Sequence, residues 1–372
     1  MSETSAVNKA SLISAVTLLS KVPARVGITS SEYYKLTFSK SQLIVSLTAE
    51  VFGDQTVTVE TAGITELNFF VDRKTLEPFL AAFQNSQSEK PFLFTHRKAG
   101  ESETLTVKCG VRKAEFTQAK EVGGYGKEPK VSGSKITSMT DSFVDAISLA
   151  RSYGSQDPTM GELNGIRIEK GLVLASNKIS AFQYKCKTPI AQVSLPTPFV
   201  DIMLLFQKHT ITFNERYCKM RSPQGYLCQI LNEKASKFFP TESLAKGIRN
   251  ALKAPVLIQV KAASFFTAAK RLNDIISSVV KRDLILIVSG SQGEKKIKIT
   301  CASQAGEFTE TVIIKNKLPK DVQMEFLLNL LLPLCDSSQV QHDVLIRCDD
   351  TPTVPYVFEF PQLVLLHGRL SK

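Results

Sequence analysis

The sequence predicts an α+β fold in which one domain is repeated three times around mainly antiparallel sheet. Three observations carry this expectation. A strand-into-helix phrase occurs three times, as "LNFFVDRKTLEPFLAAF" at 67–83, "VSLPTPFVDIMLLF" at 193–206 and "VIIKNKLPKDVQMEFLLNLL" at 312–331. Most strand patterns are separated by hairpin-length gaps, which favour antiparallel pairing. The order helix, strands, helix, strands returns in each third of the 372 residues. Boundaries near 128 and 253 divide the chain into domains 1–128, 129–253 and 254–372. The copies match in pattern, and few side chains are identical between them.

The first domain opens with a helix from Lys9 to Val22, with Leu12, Val16 and Leu19 on one face and Ser14, Thr17 and Lys21 on the other. The strand patterns "YYKLTFSKSQLIVSLTAEV", "QTVTVET" and "ELNFFV" follow. A helix then places Leu76, Phe79, Leu80 and Phe83 on one side. The strands "KPFLFTHRK" and "ETLTVKCGVRKAEFTQAK" close the domain, and "EVGGYGKEPKVSGSK" reads as a linker.

The second domain begins with the helix "MTDSFVDAISLARSYG", where Thr140 or Asp141 suits the N-cap. Strands follow in "LNGIRIEKG", "LVLAS" and "ISAFQYKCKTPIAQV". A helix from Pro198 to Lys208 places proline in the first turn, where its missing N–H costs nothing. After "TITFNERYCKMRSPQGYLCQILNE", the stretch "KASKFFPTESLAKGIRNALKAP" reads as a connection. The third domain runs from "VLIQVKAASFFTAAKRLNDIISSV", strand then helix, through "DLILIVSG", "KKIKITCAS" and "GEFTETVIIKN". The third copy of the phrase, "HDVLIRCDD" and "PYVFEFPQLVLL" complete it.

Composition limits the class. A hydrophobic content of 43% with 22% charged residues suits a globular chain. No apolar run is long enough to span a bilayer, and the N-terminus lacks a secretory pattern, so a cytoplasmic protein without membrane contact is expected. Seven scattered cysteines with no C-x-x-C point to neither a disulfide framework nor a zinc site. The formal charge of +11 suggests a polyanion partner, with the charge spread over a folded surface.

Catalytic chemistry is not evident. His96, His209, His342 and His367 have no neighbours at ligand spacing and suit ordinary surface or core positions. "GGYGKEPK" at 123–130 lacks the Ser/Thr after lysine and the strand-to-helix setting of a phosphate loop. Asp349 and Asp350 point to opposite faces if on a strand, and a turn before Thr351-Pro352 accounts for them better. No enzyme, metal or cofactor is called for.

Three phrases carry a resemblance to a known family. "ELNFFVDRKTLEPFLAAF", "LNGIRIEKGLVLASNKISAFQYK" and "SKFFPTESL" resemble, in order, segments of the bacterial-type DNA polymerase sliding clamp, the β subunit. The resemblance covers essentially the whole chain with weak identity. It implies a head-to-tail homodimeric ring around duplex DNA, helices lining the hole and sheets outside, tethering a DNA polymerase and served by a clamp loader. Such a ring holds DNA by topology, and phosphate contacts need no base readout.

The resemblance also implies sites. Lys21, Arg25, Arg73, Lys74, Arg151, Lys208, Lys270, Arg271 and Lys320 lie on or beside the six expected helices and are candidates for the DNA-facing wall; solvated surface charge is the alternative. Ala114 and Phe116 in the first domain, with Ile275 and Ile276 in the third, match the subunit interface; core packing suits them equally. Leu163, Ser176, Lys178, Ile179, Ser180, Ala181, Pro240, Leu244, Ala245, Phe360 and Pro361 match a pocket for Gln-Leu-x-Leu-Phe peptides. Here the turn reads Ser176-Asn177-Lys178-Ile179-Ser180-Ala181 where the family has Thr-Asp-Gly-His-Arg-Leu, and the loop before Leu163 carries two acids and no base.

The chain is read as running about nine residues past the usual clamp end. Gln362-Leu363-Val364-Leu365-Leu366 resembles a clamp-binding peptide, but an edge strand is the preferred reading. Two further functional classes stay open: a clamp-fold decoy or regulator that binds replication proteins without conferring processivity, and an enzyme with an unrecognised site.

Overall fold

The computed structural model describes residues 4–20, 32–39, 41–49, 53–62, 66–84, 90–100, 102–119, 132–136, 139–155, 160, 162–163, 165–169, 171–177, 179–188, 192–195, 197, 200, 204, 210–214, 217–222, 225–230, 239–277, 284–303, 306–351 and 353–369. In the first third, β1 (Thr4–Val7) precedes α1 (Lys9–Ser20). Then come β2 (Tyr33–Phe38), β3 (Gln42–Ala49), β4 (Gly53–Ala62), β5 (Leu67–Asp72), α2 (Arg73–Ala81), β6 (Phe92–Ala99), β7 (Ser102–Cys109) and β8 (Arg112–Thr117). The middle third holds β9 (Ser134–Ile136), α3 (Asp141–Ala150), β10 (Ile166–Glu169), β11 (Leu172–Ser176), β12 (Ser180–Lys185), β13 (Val193–Leu195), β14 (Thr210–Phe213), β15 (Tyr217–Ser222) and β16 (Gly225–Ile230). The rest comprises α4 (Thr241–Ala251), β17 (Val256–Lys261), α5 (Ala262–Ser277), β18 (Ile285–Gly290), β19 (Lys296–Ser303), β20 (Gly306–Ile313), β21 (Val322–Leu327), α6 (Leu328–Cys335), a 3-10 turn (Ser338–Gln341), β22 (Asp343–Arg347), β23 (Tyr356–Glu359) and β24 (Leu363–His367).

The local patterns explain most of these elements. In β2, Tyr34, Leu36 and Phe38 are buried and alternate with half-buried residues, as a strand with one core face requires. In α1, Leu12, Val16 and Leu19 are buried as expected, joined by Ala15. Thr140 caps α3 by accepting from the Phe143 amide at 3.3 Å. The stretch read as one strand at 103–120 is a hairpin: Gly110 takes φ +61°, a turn conformation that glycine adopts without strain, and separates β7 from β8. The stretch 234–255 contains a helix where a plain connection was expected, because Leu244, Ile248 and Ala251 recur at helical spacing and pack on a sheet. Of the linker expected at 121–135, residues 121–131 lie outside the described residues and Ser134–Ile136 form β9, paired with β14; most of the helix expected at 198–208 also lies outside them.

The contacts gather the chain into two units. One comprises Met1–Ser138 with Asp201–Leu231. Its twelve-stranded sheet follows the path β8-β7-β6-β1-β4-β16-β15-β14-β9, with β3 beside β4 and β2 between β3 and β5. The antiparallel β4–β16 pairing, Val57 opposite Gly225, draws the end of the middle third into this unit. An aromatic cluster of Phe79, Phe83, Phe92 and Phe116 lies under α2.

The other unit comprises Met139–Val200 with Asn232–Lys372. It has an eight-stranded sheet, β13-β10-β11-β12-β24-β23-β22-β17, and a four-stranded sheet, β20-β19-β18-β21. β12 pairs with β24, Ala181 opposite Leu366, so the start of the middle third and the end of the chain share a sheet. On one face, Ala181, Val357, Val364 and Leu366 pack against Ile248 and Ala251 of α4. On the other, Phe326 meets Tyr356, Phe358 and His367, and Tyr153 stacks on Phe182. The division into units follows strand pairing, whereas the threefold repeat concerns the order of elements.

Candidate functional site

The β11–β12 turn is built by one side chain. Asn177 Oδ1 accepts from the amides of Ile179 (2.9 Å) and Ser180 (2.7 Å), a turn that a short amide side chain favours. Ser176 Oγ donates to the Ser180 carbonyl at 2.9 Å. Ile179 is left 44% exposed. Its carbonyl accepts from the Gly368 amide at 2.7 Å, and a Cβ at Gly368 would approach that oxygen to 2.9 Å, so the chain end fits closely only as glycine. Leu163 is drawn to the same place, because the Ser155 amide donates to the carbonyls of both Leu163 (3.3 Å) and Ser176 (3.1 Å).

Helix α4 supplies the neighbouring apolar surface. Pro240 is half-buried immediately before it, and Leu244 and Ala245 are half-buried in its first turns. Leu244 packs against the cluster containing Ala181, Val364 and Leu366. The helix start is fixed from the sheet: Thr241 Oγ1 donates to Glu169 Oε2 at 3.1 Å, and Glu169 is also paired with the buried Arg167 at 3.3 Å. The structure thus gathers Ser176, Ile179, Ser180 and Ala181 in one hairpin, with Leu163 beside its β11 end and Leu244 on the sheet face of Ala181. Lys178 lies outside the described residues.

Phe360 and Pro361 are not brought to this turn. Phe360 is buried at the opposite end of β24, stacked on Phe266 with ring centroids 6.1 Å apart, and Pro361 is exposed. Register puts Ser180 opposite His367 and Tyr184 opposite Leu363, so the two ends lie four strand residues, about 13 Å, apart. Leu366, His367 and Gly368 lie beside the turn instead. Nor is the QLVLL segment a bound tail or an edge strand. It runs between β12 and β23, with Leu363–His367 all buried. Four successive apolar residues closed by Gly368 were the signal for a fully buried strand.

His367 is wholly buried. Its Nε2 accepts from the Leu327 amide at 2.9 Å, so Nδ1 carries the proton and donates to the Gly368 carbonyl at 2.6 Å. Burial pushes its pKa below the usual 6.5. Arg369 Nε donates to the Val354 carbonyl at 2.8 Å, and its guanidinium lies over the Tyr356 ring at 5.1 Å. This anchors the chain end beside the turn.

The described basic candidates fall in both units. Arg73 is only 8% exposed; its Nε pairs with Glu77 at 2.9 Å, and its Nη2 donates to the Ser20 carbonyl at 3.2 Å. Lys74 is exposed in α2, and Arg151 is exposed just after α3. Lys270 and Arg271 on α5 pair with Asp336 (2.7 Å) and Glu310 (2.6 Å). Lys320, before β21, pairs with Asp350 in a loop after β22. Lys21, Arg25 and Lys208 lie outside the described residues.

The interface candidates divide between surface and core. Phe116 is 6% exposed and meets Phe79 edge-on at 5.7 Å, while Ala114 is half-buried. Ile276 is fully buried and Ile275 is 46% exposed. Two of the strands that end a sheet path are β8, carrying Ala114 and Phe116, and β20, carrying Glu310. Among the described residues, each has strand neighbours on one side only.

Strand-into-helix units on long antiparallel sheets define an α+β clamp fold. The chain shares it with bacterial DNA polymerase III beta subunits of known structure. It is similar over its full length to the Thermotoga maritima beta subunit, with a TM-score of 0.74, 13% identity and 100% of each chain covered. The Bacillus subtilis sliding clamp gives 0.74, 13% and 100% of each chain; the Caulobacter crescentus clamp gives 0.71, 13% and 100% of each. No protein-family model matches the sequence, and no curated protein matches it. No helix among the described residues is long and apolar enough to cross a membrane.

Proposed function

We propose that this chain is a divergent sliding clamp: a ring-shaped, non-catalytic tether, assembled from two head-to-tail copies, that encircles duplex DNA and holds a polymerase on it. The observation that carries the reading is the match of the whole chain, end to end, to beta-subunit clamps. On this reading it has three clamp domains, 1–128, 129–253 and 254–372. The helices face DNA, and the net charge of +11 favours a polyanion within the ring.

The open strands β8 and β20 support the head-to-tail joint. β8 begins with Arg112 and Lys113, whereas β20 carries Glu307 and Glu310. An unpaired edge is a template for another strand, and two different edges make a heterologous contact, which gives a ring when the rotation between copies closes. Ile275 provides exposed apolar surface on α5. The Ile179 turn, with Leu163, Pro240 and Leu244, is the proposed seat for a polymerase or loader peptide, with apolar side chains entering beside α4 and the Leu366–Gly368 end.

Light scattering over a dilution series, with small-angle scattering on the same sample, tests the assembly. A stable species of twice the chain mass with a hollow profile is expected, together with retention on nicked circular but not linear duplex. A monomer at every concentration overturns the self-assembling clamp. It would favour the second reading, a decoy or regulator that binds replication proteins without conferring processivity. The ion-paired state of Lys270, Arg271 and Lys320 is the observation favouring that alternative.

A further inference from the structure

Asp336 has no evident role in its own helix. It follows the last residue of α6 as the C-cap, with φ −105° and ψ 9°. A carboxylate at this end faces the negative pole of the helix dipole, where a cation is favoured. Its side chain is 78% exposed, and its ion-pair partner among the described residues is Lys270 Nζ at 2.7 Å. Asp274 lies one turn further along α5 and adds a second negative charge to the Lys270 surroundings. An exposed pair of this kind contributes little to stability. Its larger effect is electrostatic: it cancels the charge of Lys270 beside α6.

We propose that Asp336 is an electrostatic brake on the DNA-facing surface, restraining Lys270 from neutralising a backbone phosphate and so favouring sliding over a static grip. This inference rests on the DNA-encircling reading. A phosphate oxygen that engages Lys270 must displace the Asp336 carboxylate. Asp336→Asn preserves the side-chain shape and an acceptor oxygen but removes the competing charge. One more neutralised phosphate steepens the dependence of log K on log salt by about 0.9, equivalent to about eightfold tighter binding near 0.1 M salt.

The Lys296–Glu294 pair, at 3.5 Å, supplies a charge-matched comparison: Lys296 begins β19 and is not among the DNA-facing candidates, and the two side chains are 55% and 40% exposed.

The test is fluorescence anisotropy of a short linear duplex titrated with the full chain at several salt concentrations. The chains compared are wild type, Asp336→Asn, Glu294→Gln and Asp336→Asn/Lys270→Ala. The expected result is about eightfold tighter binding and a slope steeper by about 0.9 for Asp336→Asn alone. Glu294→Gln stays at wild type, the double variant loses the gain, and circular dichroism melts confirm folding. Unchanged affinity and slope in Asp336→Asn, or an equal gain in Glu294→Gln, overturns the brake while leaving DNA binding by the wild type intact. Failure of every chain to bind the linear duplex at the lowest salt overturns the brake, and a wild type that is also not retained on nicked circular duplex overturns the DNA reading with it.

Discussion

The first and third copies of the strand-into-helix phrase hold their helices by different means. At β5–α2 the chemistry is local: Asp72 caps α2 by accepting from the Lys74 amide at 2.7 Å, and Arg73 pairs with Glu77 one turn on. At β21–α6 there is no side-chain cap. The Leu327 amide at the junction donates instead to His367, 40 residues away. The same backbone event can therefore be stabilised by neighbouring residues or by a distant strand. The first arrangement can be inferred from a short stretch of sequence, and the second requires the fold.

The sharpest break of this contrast is His367→Leu, which leaves the Leu327 amide without its buried acceptor. The expected cost is about 2–3 kcal/mol, accompanied by faster hydrogen exchange across 327–335. Exchange there at the wild-type rate would show that α6 does not depend on the distant contact. His367 also gives this junction a pH signature. Its folded pKa lies below the unfolded value of 6.5, so the unfolded chain binds the proton first. This contribution to stability is full above about pH 6.5 and is lost as pH falls toward the folded pKa, with a slope of at most about 1.4 kcal/mol per pH unit. Urea unfolding between about pH 7 and about pH 5 should show a shallower acid loss in His367→Gln.

Arg73→Met tests the first junction. It removes the charge-assisted bonds to Glu77 and the Ser20 carbonyl, and the stacking over Tyr34 at 5.6 Å. Glu77 is one-third exposed and can rehydrate, so about 2 kcal/mol is expected, read from urea unfolding. A cost close to zero would place Arg73 outside the supports of α2 and return it to the DNA-facing candidates. Asp72→Ala should have the smallest effect, about 1 kcal/mol from the lost cap, with faster exchange confined to the first turn of α2. Equal loss across both junctions would erase the distinction between local and distant support.

Sequence pattern was most legible where one element faces one core. Tyr34, Leu36 and Phe38 alternate in β2, and Leu12, Val16 and Leu19 recur in α1, because burial acts on a fixed period. The β11–β12 turn was legible too, since Ser176 and Asn177 hold it through residues within four positions. Helix α4 was missed although Leu244, Ile248 and Ala251 carry its period. Pro240 and Pro255 frame it, and its basic outer face reads as a connection. The chain end was misplaced for a different reason. An apolar run shows that a strand is buried, but not which strands flank it, so Leu363–His367 looked like an appended edge, whereas β24 lies between β12 and β23.

By itself the sequence determined the α+β class, the recurring strand-into-helix phrase and the helices and turns stabilised within a few residues. These depend on backbone periodicity and short-range hydrogen bonds, which are written into neighbouring positions. Tertiary structure alone decided that β4 pairs with β16 and β12 with β24, that His367 serves Leu327, and that Lys270 meets Asp336. The strand pairings join residues more than a hundred positions apart, and even the Lys270–Asp336 pair spans 66. Many sequences with the same local period could choose other partners, and the joint packing of the sheets selects among them.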